Sequence, residues 1–128
     1  MFTHICIAAR DLGAAKSFYD AVLTPLGVQS VGPISDRSCL YKTDDGNMLL
    51  MVPANGEPAT PSNGGTIGFA GADKAAIDAF HAAGIANGGS DEGAPGIRAG
   101  AGPNAYGAYL RDPTGNKICA FCQLAADR

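Results

Sequence analysis

"THICIAARDLGAAKSFYDAVLTPLG" (3–27) and "GTIGFAGADKAAIDAFHAAGIANGG" (65–89) are one segment written twice, 62 positions apart. Ile5 falls on Ile67, Asp11 on Asp73, Ala14 on Ala76, Phe18 on Phe80 and Gly27 on Gly89. Further on, "DGNMLLM" (45–51) sits over "TGNKICA" (114–120), 69 positions apart, so the second half carries longer loops. A repeat of this length makes each copy one supersecondary unit that buries its apolar face against the other.

Each copy carries the same local signals. Residues 2–8 alternate, with His4, Cys6 and Ala8 on one face and Thr3, Ile5 and Ile7 on the other, the period of a strand. Asp11 and Asp73 stand where a helix N-cap would accept backbone N–H bonds. Phe18, Val22 and Leu26 recur every fourth residue, as do Ala15, Tyr19 and Leu23, making one apolar helical stripe. Gly27 and Gly88–Gly89 end the helices, because glycine takes φ > 0 without steric cost. Strand-like runs follow at 28–32, 37–43 and 47–53, with "DDGN" (44–47) as a hairpin turn. In the second copy "YGAYLRD", a "PTGN" turn and "KICAFCQ" repeat the pattern. The expected organisation is α+β: a βαβββ module over 1–53, a Pro/Gly/Asn-rich linker over 54–64, a second module over 65–124 and a tail over 125–128.

Composition narrows the function. The chain has 128 residues, 46% hydrophobic and 16% charged, with a formal net charge of −3. That balance gives no electrostatic reason to expect nucleic acid or an anionic membrane as partner. No apolar run approaches the roughly 18 residues that span a bilayer. The opening residues lack the basic region and apolar core of a secretory signal, so the expected compartment is the cytoplasm, with reduced thiols.

Taken together, His4 on the first strand with "D-L-x-x-A-x-x-F-Y" behind it, and the closing "D-P-T-G-N-K-I" (112–118), resemble the glyoxalase / bleomycin-resistance / extradiol-dioxygenase superfamily, the vicinal oxygen chelate fold. The resemblance covers nearly the whole chain. It implies paired sheets forming an incomplete barrel around a concave cavity, a small-molecule ligand and a homodimer. It also implies a divalent metal held from the first and last strand of each module. By the repeat shifts those positions are His4, Leu50, Thr66 and Cys119. Leucine has no donor atom and a neutral threonine hydroxyl is a poor ligand. One imidazole and one thiol make neither a two-His, one-carboxylate triad nor a three-ligand zinc site. The expectation is therefore a protein without the metal: no residue is assigned as a metal ligand, and no cofactor is expected.

Two functions stay open. One is a binding module that holds a small molecule in its cavity. The other is a lyase, isomerase or dioxygenase acting on a small metabolite, metal-dependent or assisted by His4. His4 could act as a general base, since imidazole titrates near neutrality, or be a hydrogen-bonded remnant. Cys119 is either a thiol on the cavity face, activated if His4 faces it, or a small buried side chain. Its C-x-x-C spacing with Cys122 is no redox pair, because strand positions three apart point to opposite faces. The candidate ligand-binding set is Cys6, Tyr41, Leu50, Thr66, Arg98, Tyr106 and Tyr109. Only one of Tyr106 and Tyr109 can face the cavity. Arg98, in the glycine-rich stretch 92–107 read as a loop over the cavity mouth, suits an anionic or carbonyl-bearing ligand.

Overall fold

The structure is a computed structural model and describes residues 1–125; residues 126–128 of the expected tail lie outside it. The first module comprises β1 (His4–Ala8), α1 (Leu12–Leu23), β2 (Gln29–Ser35), β3 (Ser38–Thr43) and β4 (Gly46–Met51). The second comprises β5 (Ile67–Ala70), α2 (Lys74–Ala86), β6 (Ser90–Ile97), β7 (Ala105–Arg111) and β8 (Lys117–Gln123). Short 3-10 turns follow α1 and β6, at Thr24–Leu26 and Ala99–Ala101. The strand orders, β1-β4-β3-β2 and β5-β8-β7-β6, are copies of each other. In each sheet the first strand runs parallel to the last, and the other pairs are antiparallel. The expected α+β class with paired sheets is what folds, and the two sheets stay separate rather than closing a barrel. Among the described residues no helix is long and apolar enough to cross a membrane.

Both helices start as their sequences dictate. Asp11 accepts from the Ala14 N–H at 3.0 Å and Asp73 from the Ala76 N–H at 2.9 Å. An N-cap of this kind stabilises a helix by about 1 kcal/mol. The stripe of α1 buries Ala15, Phe18, Tyr19, Val22 and Leu23. That of α2 buries Ile77, Phe80 and Gly84. The helices pack on each other and each on its own module's sheet, so residues of both copies share one core. At roughly 1.5–3 kcal/mol for each large apolar side chain removed from water, this shared core is the main favourable term.

The last hairpin of the second module fastens the copies together. Asp112, only 4% exposed, accepts from the Tyr19 hydroxyl of α1 at 2.7 Å. Its other oxygen accepts from the backbone N–H groups of Thr114, Gly115 and Asn116, each at 2.9 Å. The Asn116 amide reaches the Ala8 carbonyl at 2.9 Å, and the Thr114 hydroxyl accepts from the Arg10 N–H at 3.0 Å. Arg10 in turn donates to the Ala59 carbonyl from two nitrogens, pinning the linker.

One stretch folds differently from its reading. The loop expected over 92–107 begins as β6, because an edge strand tolerates Pro95 and the register shifts around Gly93.

Asp112→Ala should cost about 3–5 kcal/mol, since it strands the buried Tyr19 hydroxyl and three turn N–H groups. Tyr19→Phe, which removes one donor, should cost about 1–2 kcal/mol. Urea unfolding of the three proteins measures both. Equal losses would mean that the turn holds its shape without the carboxylate.

Candidate functional site

Each sheet has one face on the helices and one facing outward, and strand alternation decides which side chains lie where. In the first sheet Ile7, Cys39, Tyr41, Met48 and Leu50 are buried toward the helices. His4, Cys6 and Ala8 lie on the outward face, in register with Asn47, Leu49 and Met51. In the second sheet Ile118, Ala120, Ala108 and Leu110 are fully buried on the helix side. Lys117, Cys119 and Phe121 therefore face outward, beside Arg111, Tyr109 and Gly107 of β7.

This alternation corrects Leu50. It pairs with Ile7 and Cys39 inside the core and is 0% exposed. The outward partner of Cys6 is Leu49, as Cys119 is the partner of Gly68. The two copies are thus offset by one residue more than the aligned "GN" pairs imply. Gly46 and Asn47 lie within β4, after a two-residue turn, whereas Gly115 and Asn116 lie in a five-residue turn before β8. A slip of one residue moves a side chain to the opposite face. The outward residues nearest the positions that the resemblance implies are His4, Leu49 and Cys119, with Thr66 just ahead of β5.

Tyr106 is also corrected, and the hydroxyl of Tyr41 points inward. Tyr41 is 1% exposed and donates to Asp20 at 2.8 Å, a carboxylate shared with Ser30 and Lys16. Tyr106 turns to α2 and donates to Asp78. Of the two tyrosines three apart, Tyr109 is the one on the outward face.

The candidates gather in three places. His4, its Nδ1 2.9 Å from the Thr3 hydroxyl, lines an apolar cavity of about 330 Å³ with Ile5, Met48, Phe69 and the buried side of Tyr41. Cys6 and Thr66 come together in a cleft of about 500 Å³ between β1 and the start of β5, with Asn116 and Lys117. Tyr109 carries two cations over its ring, the Lys117 ammonium at 5.2 Å and the Arg98 guanidinium at 5.7 Å from the centroid. Phe121 meets the same ring edge-on at 5.8 Å. Lys117 and Phe121 escaped the sequence reading, yet each is two residues from Cys119, and strand alternation places all three on one face.

Cys119 and His4 line no common cavity among the four principal ones of the described residues. Cys119 is 6% exposed, and its sulfur would lie 3.3 Å from a Cβ built on Gly68. Burial pushes its thiol up, and Lys117 pulls it only partly back. A buried, protonated thiol is a poor nucleophile and a poor metal donor. No group of three His, Cys, Asp or Glu able to hold a metal occurs among the described residues. His4, Leu49, Thr66 and Cys119 do not fit the divalent ion that the fold implies.

Iodoacetamide should modify the exposed Cys6 well before Cys119, as read by peptide mass mapping. The Cys119 rate should reach half its maximum above the ordinary thiol pKa of about 8.5. Alkylation of Cys119 at neutral pH as fast as Cys6 would reveal an activated thiol.

The sequence matches the model of the Glyoxalase/Bleomycin resistance protein/Dioxygenase superfamily over residues 1–120. Among solved structures, a glyoxalase/bleomycin resistance protein from Albidiferax ferrireducens T118 is 47% identical, with a TM-score of 0.85. That match covers 94% of this chain and 97% of the other. A lactoylglutathione lyase from Agrobacterium tumefaciens is 27% identical, with a TM-score of 0.65 over 94% of this chain and 92% of its own. A glyoxalase/bleomycin resistance protein/dioxygenase family enzyme from Burkholderia phytofirmans PsJN shares the fold at 22% identity, with a TM-score of 0.72 over 95% and 98% of the two chains. No curated protein matches the sequence. The chain belongs to the glyoxalase/bleomycin resistance protein/dioxygenase superfamily.

Proposed function

We propose that the protein binds a small organic molecule in the cleft between β1 and β5 and does so without a catalytic metal. The observation that carries this reading is the cleft itself, which draws Cys6 from one module and Thr66 and Lys117 from the other around about 500 Å³. That volume lies within the usual range of ligand sites, roughly 300–1,000 Å³. The donor set supports the metal-free form, since a leucine and a protonated thiol stand where carboxylates would be needed.

Elemental analysis of protein purified without added metal is the test. Zn, Fe, Ni and Mn should each fall well below one per chain and should not change on His4→Ala. A stoichiometric ion that is lost on His4→Ala would overturn the reading. It would favour the alternative, a metal-dependent lyase, isomerase or dioxygenase, which the 27% identity to a lactoylglutathione lyase keeps in view.

The same reading takes the protein as a homodimer. Leu40, Leu49 and Met51 are half-buried on the outward face of the first sheet, and Val31 and Ile34 of edge strand β2 are 46% and 55% exposed. Apolar surface of that kind is often covered by a partner. Light scattering should give twice the chain mass, and Leu49→Lys should shift the protein toward monomer. A monomer at micromolar concentration would count against it.

A further inference from the structure

The cleft has a chemical bias that the binding reading leaves open. Lys117 is its one charged lining residue, and no carboxylate lies within 4 Å of the ammonium among the described residues. Thr60, Ser62 and Thr66, all exposed, line the same space and can supply hydroxyl donors. Asn116 offers less, because its amide N–H groups already serve Ala8 and Asp112. Ile7, Pro61 and Ile67 complete the wall with apolar surface.

A second cation stands near Lys117. Arg98 stands over Tyr109, the ring that Lys117 also covers, and donates to the Ala94 carbonyl at 2.6 Å. Glycines make its bed: a Cβ on Gly93 or Gly96 would come within 3.0 or 3.2 Å of the guanidinium. The nearby carboxylates are committed elsewhere. Asp91 holds His81 and the Gly93 N–H, Glu92 holds Arg111, and Asp112 is buried in its turn.

We propose that the cleft is a site for a small organic carboxylate, ion-paired to Lys117 and hydrogen-bonded by the hydroxyls of Thr60, Ser62 and Thr66. Arg98 strengthens the field from behind Tyr109. One ammonium with neutral donors matches a single negative charge. A phosphate dianion would leave one charge uncompensated in a half-enclosed site. The proposal rests on the cleft being the ligand site.

The test compares 2-naphthoate with the neutral 2-naphthamide by titration of the 15N-labelled full chain, following amide shifts. Naphthoate should shift the Thr66 and Lys117 amides and bind about tenfold more tightly than the amide, a difference of about 1.4 kcal/mol. Lys117→Gln should abolish that difference, and Arg98→Gln should weaken naphthoate binding about threefold. Both variants change exposed or half-exposed positions, and their spectra report whether they remain folded. Because the probe comparison is made on the unaltered protein, it stands even if a variant fails. Equal binding of both probes at Thr66 and Lys117 would overturn the carboxylate proposal and leave the cleft as a binding site. Absence of any naphthoate-induced shift at those two residues would also overturn it.

Discussion

The hydrogen bond between the Tyr19 hydroxyl and Asp112 is the buried polar link between two halves whose helices otherwise meet through apolar contact. Apolar contact is non-directional and would tolerate sliding of α1 over α2. A buried carboxylate does not tolerate it, because moving away would leave both Tyr19 and Asp112 desolvated and unpartnered. Burial and the neighbouring carboxylate also hold the Tyr19 phenol protonated, so the donor persists across the physiological range. The relative position of β1 and β5, and hence the width of the cleft between them, depends on this contact and on the Asn116 bond to Ala8.

Much of the fold was legible in the repeat. The N-caps, the helical stripes and the βαβββ order follow from spacing that local physics enforces, and they fold as read. The family, too, could be recognised from two short motifs because each occupies a structurally fixed place, the first strand with its helix and the last hairpin. The site was less legible. Leu50 went astray because matching "GN" pairs set the register from turn residues, and turns differ in length where strands do not. Tyr106 was taken for a cavity residue because tyrosine suits either face, and Tyr41, though it lines the cavity beside His4, also turns its hydroxyl inward. Their hydroxyls find Asp20 and Asp78 on the helices, partners that no local pattern announces. Cys119 stayed open between a cavity-face thiol and a small buried side chain, because alternation assigns a face but not the side chains that cover it.

The second sheet carries most of the polar chemistry of the outward surfaces, and the first sheet most of the apolar surface. Lys117, Arg98 and the Tyr109 ring between them form a charged aromatic cluster that reaches the cleft through Lys117, while Leu40, Leu49 and Met51 are half-buried apolar residues. Two copies of one architecture thus differ most in their outward-facing residues. The inward-facing residues keep a common pattern because the shared core constrains both alike.

The five-residue turn at Asp112–Asn116 has one further implication. Its counterpart in the first module has two residues, Asp44 and Asp45, and cannot supply the buried clasp or the reach to Ala8. The modules are therefore not interchangeable parts. A chain assembled from two first modules would retain the sheets and helices but lose the lock that sets their spacing. The apparent symmetry of the molecule is that of a bolt and its socket, alike in outline and fixed in order.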